Sequence, residues 1–210
     1  LHVGSKALFG RSRWPRRFLS AVAWICGARV RLAGDPIEPH TLLLCNHTSW
    51  LDIPVLGGAT RCAFVSKHEL GHSLIHWMAD QGATLYIRPD HRRGAPDQAG
   101  AIARRLGEPG PPLALFPEGT TNPGTHLLPF RSTLFAAVSP APRQVIVRPV
   151  AIDYGEAAEE LGWYQEPGKD NVLRTLGRGR AFPVTVRLLD PLPPVAVRPA
   201  LPNPAPAARD

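Results

Sequence analysis

The sequence predicts an α/β fold: a mostly parallel central sheet flanked by helices, with an amphipathic helical segment ahead of it. Three observations predict it. Short apolar runs alternate with helix-patterned stretches at the spacing of βαβ units. One run, residues 41–46 (TLLLCN), is apolar almost throughout, as a strand covered on both faces must be. The length, 210 residues, suits one sizeable domain and is too short for two comfortable ones.

The elements follow in order. Residues 28–35 (ARVRLAGD) alternate apolar and polar and read as a strand, and residues 41–46 as a second. Residues 50–59 (WLDIPVLGGA) look helical, opened by Ser49. Residues 62–67 (CAFVSK) are a third strand, and residues 70–82 a helix that Gly82 terminates. Residues 83–89 (ATLYIRP) are a fourth strand. Residues 97–108 are a helix with apolar positions at 99, 102, 103 and 106. Residues 112–119 (PLALFPEG) are a fifth strand, 134–140 a helix, 144–153 (QVIVRPVAID) a sixth strand and 182–192 (FPVTVRLLDPL) a late one. Residues 191–210 form a Pro- and Ala-rich tail, expected to be extended or disordered. No internal repeat is present.

The net charge of +7 is localised. Residues 1–34 hold Lys6, Arg11, Arg13, Arg16, Arg17, Arg29 and Arg31 and no acid; the other 17 basic residues balance the 17 acidic ones. Trp14, Phe18, Leu19, Val22, Trp24 and Ile25 share that segment. Basic residues mixed with Trp and Phe read as a helix lying on an anionic membrane surface, so residues 1–31 are assigned as a basic amphipathic membrane-associating segment and 32–190 as the folded domain. Its apolar run is about half the length of a spanning helix. A signal peptide is the alternative reading of the arginines, short apolar stretch and small residues. The sequence opens on Leu1 rather than Met, which leaves residues ahead of it open. A nucleic-acid partner is not expected, because no nucleic-acid motif accompanies the basic segment. Cys26, Cys45 and Cys62 are odd in number and unpatterned, which argues for a reducing compartment over a disulfide scaffold.

Reactive polar groups recur at strand ends: Asn46 and His47, Lys67, Arg88, Glu118 and Arg148. In open α/β sheets the ligand crevice lies at the carboxyl ends of the strands, so these groups are expected to face one cleft. The spacing His47-x4-Asp52 fits a general base whose second ring nitrogen is held by a carboxylate. The competing reading makes Ser49 an N-cap and Asp52 its capping-box partner, which leaves His47 unexplained. Cys45, two residues before His47, is either a nucleophile or a small core residue. The stretch HELGH, residues 68–72, has the zincin form His-Glu-x-x-His, but lacks the Gly and third His of the extended motif: those positions are Ile75 and Met78. A zinc hydrolase therefore stands as the alternative of a different class, and a non-enzymatic lipid-binding module as a third.

Five blocks in order carry a resemblance: NHTSWLD, SKHEL, GATLYIRP, FPEGTT and VIVRPVAI. Together, over roughly residues 20–152, they resemble the glycerolipid acyltransferase family, typified by bacterial 1-acyl-glycerol-3-phosphate acyltransferases. The resemblance implies an acyltransferase domain over 32–190, with His47 and Asp52 as the catalytic pair. It implies substrate contacts from Lys67, Arg88, Glu118, Gly119 and Thr120, with Arg88 on the acceptor's phosphate and turn amides on the developing oxyanion. No metal and no cofactor are expected; acyl-CoA or acyl-carrier protein is the co-substrate and a lysophospholipid the acceptor. The implied reaction takes 1-acyl-glycerol-3-phosphate to phosphatidate at the cytoplasmic face of the membrane, peripherally or monotopically. Two departures from the common pattern bear on the acceptor. Thr121 stands where an Arg often follows Glu-Gly-Thr, and Arg131-Ser132 stand where many members have Lys-Lys-Gly. That form resembles the branch acylating lyso-ornithine lipid or other lysolipids, which is the alternative acceptor.

Overall fold

A computed structural model of the chain describes residues 14–67, 84–87, 95–131 and 145–193, with the backbone alone at 66, 67, 86, 87 and 95–99. The described elements run α1 (Trp14–Ile25), β1 (Ala28–Ala33), β2 (Thr41–Cys45), α2 (Asp52–Thr60), β3 (Ala63–Lys67), β4 (Leu85–Ile87), α3 (Ala95–Gly107), β5 (Leu113–Leu115) and β6 (Ile146–Asp153). A 3-10 turn (Gly155–Ala157), α4 (Ala158–Leu161), α5 (Gly168–Gly177) and β7 (Phe182–Leu188) complete them. The helices expected over 70–82 and 134–140, the zincin-like stretch 68–72 and the tail beyond 193 lie outside the described residues.

The strands form one seven-stranded sheet in the order β1-β7-β6-β2-β5-β3-β4. β6, β2, β5, β3 and β4 run parallel; β7 is antiparallel to β6, and β1 is parallel to β7. All seven strands expected from the sequence are present, and the mostly parallel arrangement holds. Side-chain alternation along β2 shows why that run is uniformly apolar. Leu43 and Cys45 enter one core with α1, α2 and β7, while Leu42 enters a second with Ile102 and Leu106 of α3. Burying each such leucine contributes about 2 kcal/mol.

α1 is part of the domain. Leu19 and Ala23, one turn apart, are buried against α2. Gly57 and Gly58 of α2 permit the approach: a Cβ on Gly57 would stand 2.6 Å from Leu19 Cδ1, and one on Gly58 would stand 3.0 Å from the Ser20 backbone. Arg16 Nε–H donates to the Gly58 carbonyl at 3.0 Å. The opposite face of α1 leaves Trp24 and Ile25 exposed.

Two expectations need correction. Arg148 is not at a strand end. It is the third of the eight residues of β6, opposite Leu43 and 1% exposed, and donates from Nε to Leu189 O at 2.7 Å and from Nη1 to Pro36 O at 2.9 Å. Pro36 precedes β2, so Arg148 ties loops at the amino-terminal edge of the sheet, away from His47. β6 continues for five residues beyond it, and the group at its carboxyl end is Tyr154. The second correction concerns Ser49, which is not the N-cap of α2. That place falls to Leu51, with no side-chain cap bond, and Asp52 opens the helix.

Candidate functional site

The site begins where β2 stops. Asn46 extends the ladder with its side chain: Oδ1 accepts the Ile152 N–H at 2.7 Å and Nδ2 donates to Ile152 O at 3.0 Å. This two-point bond fixes the chain as it leaves the sheet, and the next residue is His47. Its backbone is then held at both polar atoms. The N–H donates to Glu118 Oε1 at 2.7 Å, and the carbonyl accepts the Asn122 N–H at 2.7 Å. The ring stacks on Phe116 at 4.0 Å between centroids and 15° between planes. One face of the imidazole is thereby covered, and its side chain remains 18% exposed.

His47 Nδ1 lies 2.8 Å from Asp52 Oδ2. A carboxylate only accepts, so the proton belongs on Nδ1 and the lone pair on Nε2. Asp52 is fully buried. Its charge is met by donors on every side: Oδ2 also accepts from the Thr48 N–H at 2.7 Å and the Ser49 N–H at 2.9 Å, and Oδ1 accepts from the Tyr154 hydroxyl at 2.7 Å. Through these bonds Asp52, the first residue of α2, holds the turn after β2 and orients the ring. Burial first, and the Asp52 charge second, push the Tyr154 phenol well above its ordinary value. Tyr154 is thus a neutral donor at any physiological pH. Burial likewise pushes the Cys45 thiol well up, with Cys62 and Asp52 adding to it. A buried, protonated thiol is a core group and not a nucleophile.

Glu118 lies beside His47, but its carboxylate points inward and not into the cleft expected from its place at a strand end. It is 1% exposed. Oε1 accepts from His47 N–H at 2.7 Å and Asn122 Nδ2 at 3.1 Å; Oε2 accepts from Leu128 N–H at 2.7 Å and Asn122 Nδ2 at 3.0 Å. The carboxylate joins three chain segments: the turn after β2, Asn122 and the Leu128 stretch. Gly119 adopts a left-handed φ of +69° with its N–H on Phe116 O at 3.0 Å, and a Cβ there would meet Arg131 Cδ at 2.7 Å. Arg131 donates from Nε to Glu118 O at 3.2 Å. Thr120 is exposed at the tip of the same turn. Lys67 closes β3 and so shares the carboxyl edge of the parallel strands with His47 and Glu118; β4 ends at Ile87, and Arg88 lies outside the described residues. Among the described residues no three His, Cys, Asp or Glu gather as a metal site would require.

Sequence reasoning missed Tyr154, Phe116 and Asn122. Tyr154 follows directly on a strand that was identified, and the carboxyl-end rule that singled out His47 applies to it equally. Phe116 stood within a recognised block without a role. Asn122 reads locally as a turn residue, with Gly124 and Glu118 2 and 4 residues away, and its hold on the His47 carbonyl, 75 residues distant, carries no signal.

Among the described residues no helix is long and apolar enough to cross a membrane. Comparison with known proteins locates the chain. A family model described as acyltransferase matches residues 29–153. A lyso-ornithine lipid O-acyltransferase of Pseudomonas aeruginosa is 36% identical over 87% of this chain and 71% of its own length. One of the same name from Rhodobacter capsulatus is 34% identical over 75% of this chain, which spans only 60% of that relative. A 1-acyl-sn-glycerol-3-phosphate acyltransferase of Neisseria meningitidis is 29% identical over 65% of this chain and 50% of its own length. The crystal structure of the 1-acyl-sn-glycerophosphate acyltransferase PlsC from Thermotoga maritima superposes with a TM-score of 0.57 at 23% identity, covering 87% of this chain and 68% of that one, which shows a shared fold. With the family model spanning the sheet from β1 to the end of β6, the chain belongs to the acyltransferase family.

Proposed function

We propose that this protein is a lysolipid O-acyltransferase in which His47 is the general base. The observation that carries the reading is the Nδ1–Asp52 bond, which leaves Nε2 as the basic atom of a ring stacked on Phe116, on a backbone anchored to Glu118. Nε2 takes the proton of the acceptor hydroxyl as its oxygen attacks the thioester carbonyl of acyl-CoA or acyl-carrier protein. The new C–O ester bond forms, the C–S bond breaks, and the imidazolium returns its proton to the departing thiolate. The Gly119 N–H is occupied by Phe116 O, so the developing oxyanion is assigned to the Thr120 amide. Glu118 positions His47 and the turn from within; acceptor contact belongs to Lys67, Arg88 and Thr120.

A lyso-ornithine lipid is the favoured acceptor. The relatives carrying that name are 34–38% identical to this chain, against 29% for those named for 1-acyl-sn-glycerol-3-phosphate. Thr121 and Arg131-Ser132 point the same way. This reverses the order in which the motifs alone rank the two acceptors. Access to a lipid acceptor is through a membrane surface, met by α1, whose exposed Trp24 and Ile25 stand among Arg16, Arg17 and Arg29.

The test is an acceptor panel with purified protein: lyso-ornithine lipid and lysophosphatidate, each with acyl-CoA and with acyl-carrier protein. Product is expected from lyso-ornithine lipid in preference, and His47→Ala should lower turnover about 10²–10⁴-fold. A folded His47→Ala protein with near-normal turnover sinks the mechanism; preference for lysophosphatidate overturns the acceptor assignment alone.

A further inference from the structure

We propose that Tyr154 is a positioning residue for the His47–Asp52 pair, fixing the rotation of the Asp52 carboxylate and drawing part of its charge away from the imidazole. The inference rests on the proposed role of His47.

Asp52 Oδ2 serves three donors at once, His47 Nδ1–H, Thr48 N–H and Ser49 N–H. Oδ1 serves one, the Tyr154 hydroxyl at 2.7 Å. Without that donor, Oδ1 is a buried ionised oxygen with no partner among the described residues. The carboxylate would relieve this either by turning about its Cβ–Cγ bond, which misdirects Nδ1–H, or by leaning harder on the imidazole proton. Tyr154 prevents both. It is itself fixed. The residue is 1% exposed, its carbonyl accepts the Ala157 N–H at 3.1 Å where β6 gives way to the 3-10 turn, and its ring lies 6.2 Å from Phe182 of β7. It reaches Asp52 across 102 residues of sequence, so the turn after β2 and the end of β6 are registered through this one bond.

The chemical consequence concerns proton return. A general base in acyl transfer must take a proton from an alcohol and then give it up to a thiolate. Each further donor on the Asp52 carboxylate lessens its hold on the imidazolium and so eases the second step. A phenol on the far oxygen moderates that hold without removing the carboxylate. Among the described residues, the ionisable groups around the pair are Glu118 from the turn after β5, Cys45 from β2 and Tyr154 itself. Arg178, over the Phe182 ring at 5.1 Å, is paired with Glu160. Tyr154 is the one among them that contributes a hydroxyl donor.

The experiment compares the wild-type chain with Tyr154→Phe, which keeps the ring and deletes the oxygen. The first readout is the NMR resonance of the His47 Nδ1 proton, which needs no substrate. It should move downfield in Tyr154→Phe as the bond to Asp52 tightens. In protein carrying 3,5-difluorotyrosine, a stronger donor, it should move upfield. The second readout is turnover: kcat should fall about 3–10-fold with KM values unchanged, and the acid limb of the kcat/KM profile should move to higher pH. If Tyr154→Phe fails to fold, the fluorinated protein decides the question by its resonance. A resonance unmoved in folded protein of either kind, or a loss confined to thermal stability, overturns the proposal. A moved resonance in protein that acylates no lysolipid preserves it while removing the proposed function.

Discussion

Replacing Glu118 by Gln isolates what the buried carboxylate does. The two side chains have the same shape, but Gln offers one acceptor oxygen and an NH2 group where Glu offers two acceptors. Both Glu118 oxygens stand 2.7 Å from a backbone N–H, that of His47 on Oε1 and that of Leu128 on Oε2. Whichever way the amide is turned, its NH2 faces one of these donors, and Asn122 Nδ2 can follow only the oxygen. One charge-assisted bond is lost, at about 1.5–3 kcal/mol, and the surviving one is weakened to a neutral bond, at about 1 kcal/mol. Relief from burying a charge offsets part of this, so the net loss is about 2–4 kcal/mol. That is a large fraction of the 5–15 kcal/mol typical of a domain. Urea unfolding followed by tryptophan fluorescence measures it. Kinetics on the folded fraction should show kcat reduced, because the His47 backbone loses its anchor, with KM for the acceptor little changed. Unaltered stability with a raised acceptor KM would refute this reasoning and make Glu118 a substrate ligand.

Three other predictions test the frame around the site. Gly58→Ala should cost about 1–3 kcal/mol despite its better helix propensity, since the new methyl meets the Ser20 backbone at 3.0 Å; thermal unfolding checks it, and an unchanged Tm would mean α1 is not held against α2. Arg148→Met should lower stability by about 2–4 kcal/mol, because the Pro36 and Leu189 carbonyls lose their buried donor, while leaving kcat intact; urea unfolding and turnover are read side by side. With the Cys62 thiol pushed up to about 12 by burial, its thiolate fraction at pH 8 is on the order of 10⁻⁴. Iodoacetamide should therefore spare Cys45 and Cys62 in folded protein and label them on unfolding, with mass spectrometry as the readout.

What the sequence made legible follows the range of the physics involved. Strand positions were readable because burial imprints a pattern within each run: β2 is apolar on both faces, and β6 and β7 alternate. The His47–Asp52 pair was readable because five residues and one turn contain it. The segment between β6 and β7 was not. α4 is one turn long, and α5 opens after Pro167 with no side-chain cap and leaves Leu173 and Leu176 exposed, so it shows no clean apolar face. Arg148 was misjudged because a charged residue inside an apolar run reads as a strand end. Its actual partners, Pro36 and Leu189, are 112 and 41 residues distant. Glu118 was located correctly, but nothing local tells whether a carboxylate at a turn faces solvent or three buried donors.

The two buried carboxylates explain why fold and site are the same network. Each is an anion without water, and each is stable only because donors surround it: His47, Thr48, Ser49 and Tyr154 for Asp52, and His47, Asn122 and Leu128 for Glu118. His47 is the one residue common to both sets, through its ring to Asp52 and its backbone to Glu118. The ring cannot tilt without loosening one anion, nor the backbone shift without loosening the other. Since an ionised group left short of donors in a dry interior costs more than an ordinary hydrogen bond, the two anions hold the imidazole more firmly than either would alone. The coupling is measurable. Tyr154→Phe and Glu118→Gln act on different carboxylates, yet both release the same histidine. Their effects on kcat should therefore be less than multiplicative in the double variant, and their effects on stability less than additive. Fully multiplicative losses in kcat would mean that the two carboxylates constrain His47 independently, and the picture of one shared frame would fail.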